Sequence, residues 1–361
     1  MTVIDQIQGS EPASKAPRAK IAATPDDKTM LRAAAELPRE LLVAKGRYYW
    51  PDFLASALVG YGALAATILS HNVPLELAAA FVAALALFRA ASFIHELTHI
   101  RAGALPGFRF VWNLLIGIPL LLPSFMYEEV HTHHHAKTRY GTTEDPEYLP
   151  LALMKPWSLP LFILAALLAP VALLFRFAIL TPLSLVIPPL RRFVVEALSG
   201  LAINASYRRR APEGAFRRMW YWQEGAASVW AIGILVASAL YGWRPLLIAM
   251  AVFSGVAVVN QLRTLVAHLW ENEGDVMTVT GQFLDSVNVP PPGFVAELWA
   301  PVGLRYHALH HLLPSMPYHS YAEAHRRLVA SVGLDSTYHQ ANHPGLIVLV
   351  ARIARSTMVR R

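Results

Sequence analysis

Long apolar runs alternate with short polar links in this chain, and that pattern restricts it to helices packed in a bilayer. Inside lipid the backbone N–H and C=O groups find no water, so a spanning segment must satisfy them internally. A helical span takes about 20 mostly apolar residues. Phe53–Ser70 and Leu75–Ile94 meet this requirement and are separated by only His71-Asn72-Val73-Pro74. They read as a hairpin, with His71 capping the turn in a structural role. Ala226–Tyr241 and Pro245–Leu262 read as a second hairpin around Gly242-Trp243-Arg244. Only 15% of residues are charged, against about 25% in soluble domains.

Two further apolar segments are interrupted. Phe108–Tyr127 contains Gly117, Pro119 and Pro123, and reads as a re-entrant or buried segment. Ser158–Leu190 contains Pro170, Arg176, Pro182, Pro188 and Pro189, and reads as a shallow hairpin or interfacial element. Eight Lys/Arg lie between Lys15 and Arg47, and seven Arg between Arg191 and Arg218. The two hairpin links together hold only Arg244. The positive-inside bias therefore puts both basic segments in the cytoplasm, across a bacterial inner membrane. Four spans in two hairpins then return the chain to that side at His95 and again at His268.

The expected fold is all-α and integral to the membrane. Four transmembrane helices in two hairpins, with re-entrant or interfacial segments, carry a cytoplasmic helical cap with a histidine-rich metal site. Residues 1–47 read as a mostly disordered cytoplasmic tail with no secretory signal. Residues 48–330 form the membrane domain with its cap, and 331–361 a C-terminal tail or short helix. The net charge of +7 follows from topology rather than nucleic-acid binding, because no basic stripe carries interleaved aromatics. The absence of cysteine excludes disulfides, Cys-ligated zinc and an iron–sulfur cluster within this chain.

The histidines are concentrated in three groups: His95 to His99 (HELTH), His131 to His135 (HTHHH) and His307 to His311 (HALHH). His95 and His99 are one helical turn apart, about 6 Å along the axis. His131, His134 and His135 share a helical face, and His307, His310 and His311 repeat that spacing. The third helix must end near Leu313, because Pro314 disfavours helix before it. His268 adds a ninth candidate at the end of the last span. Neutral imidazole binds iron, copper, zinc and nickel, and so many histidines exceed one tetrahedral site and suit two metals. His133 falls off the shared face. His325, His339 and His343 read as surface residues, whereas His319 is close enough to support the site. Asp145 is the best-placed carboxylate to orient an imidazole, and Glu96 is another. HELTH also satisfies the H-E-x-x-H zinc protease pattern. That reading leaves the other two groups unexplained, and Leu284-Asp285-Ser286 is a poor third-ligand motif. A transporter reading finds no polar path through the bilayer.

With these residues in view, the chain resembles the membrane fatty acid desaturase superfamily, which includes desaturases, acyl hydroxylases and alkane hydroxylases. The resemblance rests on the three histidine boxes in order and covers roughly residues 50–330. Arg139-Tyr140-Gly141-Thr142 to Asp145-Pro146-Glu147, Arg263-Thr264 to His268, and Leu284 to Asn288 are also similar to bacterial members. It implies two irons held by His95, His99, His131, His134, His135, His307, His310 and His311, with His268 as ninth ligand. Thr264 stands where some members carry an asparagine that holds a water near the metal. The first box has three residues between its histidines, where many acyl-CoA desaturases have four.

The implied chemistry is activation of O2 as co-substrate, with attack on a C–H bond of a fatty acyl chain whose carrier is open. The metal centre carries it, with no separate catalytic side chain. Desaturation is the expected outcome, with hydroxylation or terminal-alkene-forming decarboxylation as alternatives. The chain has no haem, flavin or Cys cluster, so an external donor such as ferredoxin with its reductase is implied. Arg208–Arg218 could dock an acidic carrier.

Overall fold

A computed structural model describes residues 21–101, 103–148, 155, 158–292 and 295–359. Among them the structure is helical, with isolated β-bridges but no strand. The elements are α1 (Lys28–Ala35), α2 (Gly46–Leu69), α3 (Val73–His99), α4 (Phe108–Trp112), α5 (Val130–His134), α6 (Ser158–Phe175), α7 (Thr181–Ser184), α8 (Pro188–Ala197), α9 (Gly214–Tyr241) and α10 (Arg244–Leu265). Then follow α11 (Val279–Asp285), α12 (Ala296–Trp299), α13 (His307–Leu312), α14 (Tyr321–Ser331) and α15 (Leu346–Ile353).

Both expected hairpins form. Asn72, not His71, caps α3: its side chain accepts from the Leu75 N–H at 3.1 Å, while His71 is exposed. Pro74 and Glu76 then occupy the first turn, where the missing N–H is harmless and the negative charge faces the helix dipole. Gly242 joins α9 to α10 at φ 109°, a conformation open to glycine. The Arg244 guanidinium reaches the Ile68 and Ser70 carbonyls and Glu76, so the two hairpin turns meet at one end of the bundle. Large side chains such as Leu58, Leu77, Phe81, Val229 and Leu240 point outward. Such a continuous apolar belt belongs in lipid.

The expected hairpin over Ser158–Leu190 is instead one long helix. It runs through Pro170 and a π-turn at Arg176–Leu180 to Ser184. Pro160–Ser184 is the fifth helix long and apolar enough to cross a membrane. The π-turn is held by Arg176, which bonds Glu224 and Ser199 at 2.8 Å and Thr181 at 3.1 Å. Local hydropathy cannot register this partner from α9, and Arg176 alone reads as a break. Phe108–Gly117 is a short apolar helix. Its chain then turns back through Leu121 to Ser124–Met126.

Short elements form a layer over the ends of α3 and α10 that carry the histidines. Residues 21–47, expected within a disordered tail, are folded into this layer. Asp27 caps α1 and bonds Ser336 at 3.0 Å and Thr337 at 2.8 Å, and Met30 is fully buried beside Phe283 and Tyr338. These partners lie some 250 to 310 residues away, so periodicity within the segment carries no sign of them. α15 buries Leu349 and Ile353.

Candidate metal centre

The first histidine pair rides on the last turn of α3, which projects beyond the apolar part of the helix. α5 is barely more than one turn, long enough to aim His131, His134 and His135. α13 stops at Leu312 with Leu313 as its cap, just before Pro314. Buried Asn288 fixes α13 by accepting from the Leu309 N–H at 3.0 Å. His268 lies beyond α10 in an extended turn, bridged to Ser286. The Leu269 N–H donates to the Asp285 carbonyl at 2.7 Å and the Val287 N–H to the Ala267 carbonyl at 3.0 Å. The segment Leu284 to Asn288 is thus a splint for His268.

All nine imidazoles named from the sequence converge, in two groups: His95, His99, His131, His135 and His310; and His134, His268, His307 and His311. Within each group the ligating nitrogens lie within 4.8 Å of one another. The groups touch through His135 and His311, whose rings stack at 4.3 Å.

Hydrogen bonding sets which nitrogen faces inward. His131 Nδ1 lies 2.9 Å from Glu147, and His134 Nδ1 lies 3.0 Å from Asp145. His268 Nδ1 lies 2.8 Å from the Tyr140 hydroxyl, and His310 Nδ1 lies 2.8 Å from the Tyr321 hydroxyl. A carboxylate accepts only, so Nδ1 of His131 and His134 carries the hydrogen and Nε2 presents a lone pair. The Nε2 atoms face one another: His131 to His135 at 3.0 Å, His135 to His310 at 2.9 Å, His268 to His307 at 3.1 Å and His307 to His311 at 3.2 Å. Both ring nitrogens of His95 and Nε2 of His99 are buried without a partner. Converging lone pairs and buried orphan nitrogens suit a cation between them. Nine nitrogen donors in two groups suit two transition ions.

Burial and neighbouring imidazoles hold His131, His135, His307, His310 and His311 well below the usual histidine range, and burial does the same to His268. The neutral ring is the ligating form. His134 is the exception. Burial pushes it down, but the charge and hydrogen bond of Asp145 outweigh that and raise it.

Of the supporting residues named in advance, Asp145 lies where expected. Glu96 bonds Tyr49 and the Tyr318 N–H, with its carboxylate 3.9 Å from His95 Nδ1. That ties it down and leaves it unsuited to the protease role. Thr264 lines a cavity against the site. His319 is a correction: it accepts from the Lys45 N–H at 3.3 Å and packs on Tyr48 and Tyr49, touching none of the nine imidazoles. Proximity in sequence to the third group misled here, because the chain turns away at Pro314 and Pro317. Among residues not singled out for a role, Glu147 and Tyr140 stand in the run after the second box. Tyr127 and Tyr321 carry no local signal.

The cavity, of about 470 Å³, lies between α3, α6 and α10. Phe88, Ala166, Pro170, Leu173, Phe253 and Val256 line it, and His95 closes one end.

The family model described as fatty acid desaturase matches residues 71–341. The chain belongs to the fatty acid desaturase family. It is an integral membrane enzyme of the di-iron oxidoreductase type. A protein of Caulobacter vibrioides (strain NA1000 / CB15N) named ceramide hydroxylase is 48% identical over 337 residues, which is 93% of this chain and 96% of that protein. No solved structure matches the chain.

Proposed function

We propose that this family member oxidises an unactivated C–H bond of a lipid acyl chain with O2, at two irons held by the nine histidines, and that the product is an alkene. The observation that carries this reading is the apolar cavity that ends on His95, one of the five histidines of the first group. Bound iron would supply the activation of O2 and the hydrogen abstraction, which no side chain can perform. The protein's own share is placement. The cavity walls hold the chain and exclude water, and Asp145 and Glu147 fix the imidazole tautomers. Position errors near 1 Å matter greatly in such sites. In the balance, O2 takes two hydrogens from the chain and two electrons with two protons from a donor, leaving an alkene and two waters.

Hydroxylation is a second reading, favoured by the 48% identity to a protein named ceramide hydroxylase. It starts from the same C–H bond, and one oxygen atom stays on the carbon.

Geometry supports four membrane crossings rather than five. His134 lies before α6 and His268 follows α10, yet their rings are 5.1 Å apart. An even number of crossings must separate them, and α9 with α10 already supplies two. The continuous helix over residues 158–184 is therefore not a full crossing, and α8 leads the chain back to the side it entered from. Together with the basic segments, this parity supports a histidine-bearing cap on the cytoplasmic face of a bacterial inner membrane. Arg208, Arg210, Arg217 and Arg218 are exposed there and suit an acidic carrier such as ferredoxin, fed by its reductase. Arg209 is committed elsewhere, to the carbonyls of Phe125, Ser199 and Glu128.

The test is lipid mass spectrometry of cells expressing the chain with a ferredoxin and its reductase, with His134→Ala as control. New double bonds that vanish in the variant are expected. New hydroxyl groups with the same dependence select the second reading. Unchanged lipids in cells whose purified protein contains iron would remove acyl chains as the substrate.

A further inference from the structure

The cavity has one polar end. Its wall follows α10 from Phe253 to Thr264, about 16 Å at a rise of about 1.5 Å per residue. The deep part is aliphatic and aromatic. Ser92, Asn260, Gln261, Arg263 and Glu147 all stand at the end closed by His95.

Arg263 is anomalous among these. It is only 8% exposed, and its Nε and Nη2 atoms are buried with no hydrogen-bond partner. The other guanidinium buried inside the apolar helices is satisfied: Arg176 donates to Glu224, Ser199, Thr181 and the Leu198 carbonyl. The carboxylate sharing the wall with Arg263 is turned away, since Glu147 bonds His131 at 2.9 Å and Tyr127 at 3.2 Å. The Gln261 amide donates to the Phe162 carbonyl at 3.2 Å. A buried charged donor without an acceptor is costly, and this residue lines the cavity that a ligand would fill.

Resting on the function proposed above, we infer that Arg263 is a positioning residue that donates hydrogen bonds to the acyl carbonyl oxygen of the substrate. The polar linkage is then held at the histidine end while the hydrocarbon runs into the apolar end. The carbons presented to the metal centre are the first few from that linkage, not the middle of the chain. An amide and a free acid share this carbonyl chemistry.

The experiment measures binding to the full-length purified protein, without electron donor so that nothing turns over. The probes are N-palmitoyl-dihydrosphingosine, palmitate and hexadecane in the same detergent. Wild type should favour one or both carbonyl probes over hexadecane, and the preferred one identifies the source of the carbonyl. Arg263→Met should weaken that probe about tenfold or more, the scale of a lost hydrogen bond to a charged group, and leave hexadecane unchanged. Arg263→Lys should recover part of the loss, with unchanged iron content showing that the fold is intact. Equal binding of all three probes by wild type, or equal weakening of all three in Arg263→Met, overturns the anchor. With donor supplied, products oxidised mid-chain by wild type overturn the positional part. Failure of wild type to oxidise any lipid removes the proposed function and the positional part with it, while the binding result still decides the anchor.

Discussion

Both carboxylate oxygens of Asp145 lie 3.0 Å from Nδ1 of His134. The same carboxylate accepts from the Gly141 and Glu147 N–H groups at 2.8 Å, so its position does not depend on the histidine. Asp145→Asn keeps an acceptor of the same size but removes the charge that makes His134 a stronger ligand. Loss of such a partner typically weakens metal binding about 10- to 100-fold. The variant should lose iron to a chelator at correspondingly lower concentration. Tyr321→Phe, which removes a neutral hydroxyl from His310, should have a smaller effect in the same titration.

Iron-free protein should be acid-sensitive. Burial holds His131, His135, His268, His307, His310 and His311 neutral in the fold. In the unfolded chain these rings take up protons below about pH 6.5. The unfolded state then binds more protons, so stability falls as pH drops below that value and is flat above it as far as these rings are concerned. Thermal unfolding of chelator-treated protein across pH 5 to 8 checks this. A transition temperature that rises toward pH 5 would contradict it.

At Gly60 α2 lies close against Leu87 of α3. A Cβ there would lie 2.7 Å from Leu87 Cδ2 and 3.1 Å from the Leu87 backbone nitrogen. Gly60→Ala should destabilise the protein by about 1–3 kcal/mol through overpacking, read as a lower midpoint of thermal inactivation in detergent. Gly255→Ala, whose Cβ would meet only Ala84 Cβ at 3.3 Å, should be milder.

Ala166 is buried in the cavity wall on α6. Ala166→Phe should fill the apolar part of the cavity and shift oxidised products toward shorter acyl chains, with iron content unchanged. Chain-length analysis of the products checks this, and an unchanged length profile would mean that the chain lies elsewhere.

The sequence was most informative where the cause is local. The two hairpins follow from apolar runs of spanning length and their turn residues. Eight of the nine histidines were legible because i, i+3 and i+4 spacing puts each group on one helical face before any tertiary contact forms, and His268 was named from its place at the end of the last span. Asp145 was legible because it precedes Pro146 in a turn just after the second histidine group. What escaped depends on partners distant in the chain. His268 is oriented by Tyr140, 128 residues earlier, and Arg176 is accommodated in a helix by Glu224 on another. Residues 21–47 fold only because Asp27 and Met30 find the far end of the chain. The division of the imidazoles into groups of five and four, and the isolation of Arg263, are likewise products of packing. Periodicity reports which face of a helix a residue occupies. Only the assembled helices determine what that face meets.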